Sequence, residues 1–306
     1  MQPKIDFKGA VFAPIAGYSD VGMRKVCAMR GAELTYTEMI SAKGLVYGSD
    51  KTEDLLHTTD SEKVKCVQIF GSEPYFISKA VEHKALEKFD VIDVNMGCPV
   101  PKIVKNGEGS ALLENVPLAM QVVKAALVAG KPVTVKFRLG VTADRIIAVD
   151  FAKAMQDAGA SAITVHGRTR EQMYSGNADW QEIAKVKKAV DIPVFVNGDI
   201  VDKASYEKAM QVTGCDGAMI ARGALGNPKI FSDIKDEQIK DYSLKNDILL
   251  HLDTMLEFHH ENYVSANFKK HLAYYCRGMR GQKQIKLDAF ACKSIADIRE
   301  VIDRFF

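Results

Sequence analysis

The sequence has no Cys-x-x-Cys pair, no Gly-x-Gly-x-x-Gly dinucleotide fingerprint and no apolar run near the ~18 residues of a membrane span. Its six cysteines, Cys27, Cys66, Cys98, Cys215, Cys276 and Cys292, are scattered through 306 residues. That spacing argues against a disulfide framework and against a zinc site, so most of them read as small buried hydrophobes. The opening stretch "MQPKIDFKGAVFAPIAG" contains Asp6 and lacks a continuous apolar core, so no secretory signal is expected. No low-complexity segment or short repeat occurs. These absences lead to the expectation of a cytoplasmic chain with no bound metal, no membrane association and no protein partner. The net charge of +2 carries no signal by itself; 47% hydrophobic and 26% charged residues are ordinary globular values.

What is present is a rhythm. Short apolar runs rich in Val and Ile recur as "AVFAPIAG" from Ala10, "LTYTEMI" from Leu34, "KCVQIFG" from Lys65 and "VIDVNMG" from Val91. "PVTVKFRLG" from Pro132, "AITVHG" from Ala162, "PVFVNGDI" from Pro193 and "DGAMIARG" from Asp216 continue it. Near-continuous apolar interiors fit parallel strands buried on both faces. Helical stretches lie between most of them. Pro117 opens one reaching about Ala129. Thr142 or Asp144 is expected to cap another, ending before Gly159, and Asp179 a third, to about Val190. Eight strands in βα alternation predict a (β/α)8 TIM barrel, with a doubly wound sheet as the alternative. From about Asp241 only helical spacing remains, which predicts a small all-helical C-terminal domain of three or four helices. The expected division is 1–238 and 239–306, with a linker in the charge-dense stretch from Phe231 to Tyr242.

In such a barrel chemistry sits at the C-terminal ends of the strands. The polar residues there are Gln68, then Asp93, Asn95 and Cys98, then Lys136 and Arg138. His166 and Arg168, Asn197, Gly198 and Asp199, and Arg222 and Gly223 follow. Glycines in "VNGDI" and "ARGALGNP" occupy the two loops where barrels commonly bind phosphate through backbone N–H groups, and Arg222 adds charge. A lysine inside an apolar strand, Lys136, needs a ligand or a carboxylate such as Asp93. His166 reads either as a satisfied core histidine or as part of an anion or polar-ring site. Cys98, between Gly97 and Pro99, is open to four readings: nucleophile, acid, metal ligand or core thiol. The segment from Ser265 to Lys286 carries Lys269, Lys270, Arg277, Arg280, Lys283 and Lys286 and no acidic residue. It suits a phosphate-bearing partner or a solvated helix face. Tyr274 and Tyr275 within it are either stacking surface or helix core.

"APIAGYSD", "TEMISAKGL", "VQIFG", "NMGCP", "GSALL", "VKFRLG", "VHGRTREQMYSGNADW", "VNGDI" and "DGAMIARGALGNP" together resemble the tRNA-dihydrouridine synthases, most closely the bacterial B-type branch. "FKKHLAYYCRGMRG" is similar to that family's helical domain. The resemblance implies an FMN enzyme, with NADPH as reductant, that reduces the C5=C6 bond of particular uridines in tRNA. It places the flavin against Pro14, Ile15 and Ala16, with Gln68, Lys136 and His166 around its ring and ribityl chain. The flavin phosphate falls at Asn197–Asp199 and Ala221–Gly223. The resemblance further implies that hydride passes from flavin N5 to uracil C6 and that the matching thiol, Cys98, protonates C5. Asn95, Arg138, Arg168, Lys269, Lys270, Arg277 and Arg280 are then the expected substrate contacts. The chain departs from the family pattern at Ile15 and Tyr18 and at Pro101–Lys102, where a basic pair is usual. The competing reading is an FMN barrel of the dihydroorotate dehydrogenase type acting on a small molecule.

Overall fold

A computed structural model describes residues 5–306. Residues 1–4, the start of the stretch without a secretory pattern, lie outside it. All eight apolar runs form strands: β1 (Gly9–Phe12), β2 (Thr35–Ser41), β3 (Lys65–Phe70), β4 (Val91–Met96), β5 (Val133–Arg138), β6 (Ala162–His166), β7 (Val194–Asn197) and β8 (Gly217–Ile220). They are parallel neighbours in chain order, and β8 pairs back to β1, closing a barrel. Each strand alternates faces. On β4, Ile92 and Val94 join the core beneath the helices, whereas Val91 joins Tyr36, Cys66 and Phe195 in a plug inside the barrel. Asp93 and Asn95 share the inward face of Val91, above that plug.

The helices of the barrel are α1 (Val21–Met29), α2 (Ala42–Val46), α3 (Asp50–Glu53), α4 (Pro74–Val81), α5 (Pro101–Lys105), α6 (Val116–Ala126), α7 (Ala148–Ala158), α8 (Trp180–Ala189), α9 (Lys203–Thr213) and α10 (Ile230–Ile234). Asp179 caps α8 as expected, its carboxylate accepting from Glu182 N–H at 3.0 Å. Neither Thr142 nor Asp144 caps α7. That helix starts later, after Ile147, with no side-chain cap. Gly140 bridges to Ile146 and folds the intervening residues into a tight turn, where a Cβ at Gly140 would lie 2.1 Å from the Arg145 carbonyl oxygen.

The expected linker also begins later than charge density indicated. Phe231 lies within α10, fully buried, with its ring 6.4 Å from Phe12. The chain then enters α11 (Leu244–Phe258), α12 (Glu261–Tyr275), α13 (Gln282–Ala291) and α14 (Ile295–Phe305). These four helices bury their own core around Ile248, Leu252, Phe268, Leu272 and Ile298.

The four helices dock on α1. Gly22 makes this possible, because a Cβ there would sit 2.5 Å from the His251 carbonyl oxygen. Arg30 grips Asp247 of α11 through Nε, at 3.0 and 3.1 Å from its two oxygens. Asp20 caps α1 by accepting from Gly22 and Met23 N–H, and the same carboxylate faces two buried histidines. His251 Nε2 is 3.0 Å from Oδ1, and its Nδ1 is 3.0 Å from the Tyr275 hydroxyl oxygen. His271 Nε2 is 3.0 Å from Oδ2, an ion-pair distance, although these two atoms do not meet hydrogen-bond geometry.

Candidate active site

The C-terminal ends of the strands open into a cavity of about 830 Å³. That volume suits a cofactor and part of a substrate. Pro14, Ile15 and Ala16 after β1, Gln68 of β3, Asn95 of β4 and Cys98 line it. So do Lys136 and Arg138 of β5, His166 of β6, Asn197, Gly198 and Asp199 at β7, and Ala221, Arg222 and Gly223 at β8. The twelve residues expected around a flavin and the thiol expected opposite it therefore share one space. Arg277 joins them from the helical domain.

Arg168 does not. It points behind the wall, where Nη2 lies 2.7 and 2.8 Å from the Asp199 carboxylate and 2.7 Å from Gly176 O, and Nε donates to Ser175 O at 3.0 Å. With its donors taken by protein acceptors, it anchors the loop after β6 rather than reaching a substrate. Lys269 is similarly engaged, its Nζ donating to the Cys292 carbonyl. Lys270 stands just outside, its Nζ 5.3 Å from the Tyr18 ring centroid. Arg280 is exposed beyond α12.

Three tyrosines also line the cavity. Tyr18 follows the first strand, and Tyr174 lies between two guanidinium groups, Arg138 at 5.6 Å and Arg222 at 5.3 Å from its ring centroid. Tyr274, in the last turn of α12, reaches over to the barrel, edge-on to Tyr18 at 5.3 Å, with the Arg277 guanidinium 4.5 Å from its ring centroid. Its neighbour Tyr275 is the core member of the pair. Their place depends on Gly226, where any Cβ would collide with the Tyr274 carbonyl oxygen at 2.3 Å.

Burial dominates the electrostatics. Lys136 is pushed down to about 8 by loss of water, and the nearby Arg138 charge adds to this while Asp93 opposes it. Arg138 is itself lowered to about 10 by burial. It still donates to Gly97 O at 2.8 Å, Thr169 O at 2.9 Å and Met173 O at 2.7 Å, tying the β4 and β6 loops together. His166 is held well below its ordinary value by burial and by the cations Lys136, Arg138, Arg168 and Arg222, so it is neutral near pH 7. Burial raises the Cys98 thiol, with the Val100 N–H and the charges of Arg138 and Lys136 opposing. Such a thiol is protonated at neutral pH, a donor rather than a nucleophile.

The loops after β7 and β8 form a cradle. Gly198 has φ of +122°, and a Cβ there would meet Ala178 Cβ at 2.7 Å. A Cβ at Gly223 would meet the Ile200 carbonyl oxygen at 2.2 Å. The backbone N–H groups of Gly198, Asp199, Arg222 and Gly223 find no acceptor among the described residues. Four such donors beside an arginine are suited to phosphate oxygens.

Residues 11–304 match the dihydrouridine synthase family. This chain belongs to that family. The match runs from β1 to the end of α14, so it takes in the cavity and all four C-terminal helices. Among similar proteins, the tRNA-dihydrouridine synthase B of Shewanella oneidensis is 33% identical over 97% of this chain and 94% of its own length. A probable tRNA-dihydrouridine synthase of Aquifex aeolicus is 34% identical, covering 93% of each. Solved structures share the barrel. Histamine dehydrogenase from Rhizobium sp. 4-9 aligns with a TM-score of 0.58 at 13% identity over 80% of this chain and 48% of that one. The old yellow enzyme homologue of Zymomonas mobilis aligns with a TM-score of 0.51 at 12% identity, over 76% and 90% of the two chains. In this member of the family no helix among the described residues is long and apolar enough to cross a membrane.

Proposed function

We propose that this member of the dihydrouridine synthase family reduces the C5=C6 bond of uridines in tRNA, with FMN held in the barrel cavity and NADPH as reductant. The observation that carries the reading is the joint lining of one cavity: a phosphate cradle, a protonated thiol, and an aromatic–arginine pair supplied by the helical domain. A small-molecule reductase has no evident use for the last of these.

The residues fit FMN. Asn197–Asp199 and Ala221–Gly223 would hold its phosphate, Pro14, Ile15 and Ala16 its ring face, and Gln68, Lys136 and His166 its polar edge and chain. Held by these residues, reduced FMN would supply a hydride for uracil C6. Cys98 supplies the proton: its S–H bond breaks as a C–H bond forms at C5, leaving a thiolate that Arg138 and Lys136 stabilise. Lys136, cationic below about 8, also opposes the charge that develops on the uracil oxygen. Neutral His166 can donate a hydrogen bond without adding a further cation to this crowd.

A uridine in folded tRNA must leave its stack to enter the cavity. Tyr274 and Arg277 offer a ring face and a charge at the mouth, and Lys270 and Arg280 extend the cationic surface outward. Arg168 and Lys269 act here as structural anchors.

The experiment is direct. Purified protein, NADPH and tRNA lacking dihydrouridine are incubated, and the product is mapped by position. Dihydrouridine at defined sites is expected. A colourless protein, or tRNA binding with no product despite bound flavin, sinks the reading.

A further inference from the structure

The polar groups beneath the thiol form one directed chain of hydrogen bonds. At its base is Asp93, fully buried in the barrel. Its Oδ1 accepts from Thr134 Oγ1 at 2.5 Å and its Oδ2 from Gln68 Nε2 at 2.6 Å. With its nitrogen so engaged, Gln68 presents Oε1 to Asn95, whose Nδ2 donates to it at 2.8 Å. Asn95 therefore presents Oδ1 to the loop above, accepting from Gly97 N–H at 3.1 Å and from Cys98 N–H at 2.9 Å.

Every link has the same polarity. Reversing Gln68 would set its NH2 group against the NH2 group of Asn95. Reversing Asn95 in turn would set an NH2 group against two backbone N–H groups. The two backbone N–H groups fix this direction from above, and an acceptor at the base completes it from below. A buried carboxylate is costly, and burial raises Asp93 to about 6, with Thr134, Gln68 and Lys136 holding it back.

We propose that Asp93 is a positioning residue: through Gln68 and Asn95 it fixes the backbone of Cys98, and with it the aim of the thiol. The same chain fixes which face of the Gln68 amide is offered to the cavity. The consequence for turnover rests on the reading of Cys98 as proton donor, but the positioning can be measured without it. Among the six cysteines only Cys98 is not buried, so its alkylation by iodoacetamide reports the loop directly.

In the flavin-bound protein, Asp93→Leu is expected to speed Cys98 alkylation by about fivefold. It should also lower kcat by about tenfold or more, with KM for tRNA within about twofold. Asp93→Asn should restore both, because its side-chain oxygen still accepts from Gln68 and its nitrogen can donate to the Thr134 hydroxyl. Gln68→Met should speed alkylation like Asp93→Leu, and the double variant should be no worse than either single one. A folded Asp93→Leu protein that is alkylated at the parent rate overturns the proposal, as do additive effects in the double variant. If Asp93→Leu does not fold, Gln68→Met alkylated at the parent rate overturns it equally. Should Cys98→Ala retain full activity while the alkylation results hold, the proton-donor reading fails and the positioning stands.

Discussion

Burial moves Cys98 and Lys136 in opposite directions, and both shifts suit the proposed reaction. The Cys98 thiol rises, so the proton that the proposed mechanism delivers to C5 is present at neutral pH. Lys136 falls to about 8, so its charge is present at neutral pH and lost just above it. Cys98→Ala is expected to lower dihydrouridine formation by about 100-fold or more, the usual contribution of a general acid, with flavin content and NADPH oxidation near the parent values. Mass-spectrometric quantitation of dihydrouridine beside an NADPH oxidation assay checks this. In the pH–rate profile, activity should decline as pH rises through about 8, where Lys136 loses its proton. Thiol ionisation adds a second fall at higher pH. Lys136→Met should be slow throughout and lack the first limb; an unchanged limb near 8 would assign it to another group.

Elements deliver those residues, and the phosphate cradle shows how much depends on two loops. Gly223→Ala brings a Cβ within 2.2 Å of the Ile200 carbonyl oxygen, which is backbone and cannot step aside cheaply. Flavin should be lost on dialysis of this variant, and more weakly held in Arg222→Ala, as read from absorbance after gel filtration. Full retention in both would move the phosphate elsewhere. The strands and the cradle were legible because their signals are local: doubly buried strands are apolar throughout, and glycine marks close backbone approach. The start of α7 was not, since the Gly140–Ile146 bridge overrode two good capping residues. Sequence alone presents Arg168 and Lys269 as substrate contacts because it does not show an acceptor 31 residues away at Asp199, or a carbonyl 23 residues away at Cys292. Asp93 was legible as a buried acid, but its partners were not, since Lys136 was the obvious candidate and Gln68 and Thr134 hold it instead.

On the scale of the whole molecule, the cavity is complete only while the four helices stay docked, because Tyr274 comes from α12 and Arg277 from the turn that follows it. Docking runs through Asp20, His251 and His271, a carboxylate and two imidazoles withdrawn from water at the seam with α1. Burial lowers His271 to about 4, against the pull of Asp20, while a free histidine titrates near ~6.5. Between these values an unfolded chain takes up a proton that the folded one refuses. Stability contributed by neutral His271 is therefore complete above ~6.5 and drains away as pH falls towards 4. Asp20 is held well below its ordinary value by the two histidines despite its burial, so it adds to the loss only at lower pH still. His271→Gln removes the titration while keeping a neutral donor in reach of Asp20. The variant is expected to be less stable than the parent at pH 7.5 yet to lose less Tm between pH 6.5 and 4.5. Parallel Tm curves for the two proteins would place the acid sensitivity outside this seam and leave the docking of Tyr274 and Arg277 independent of it.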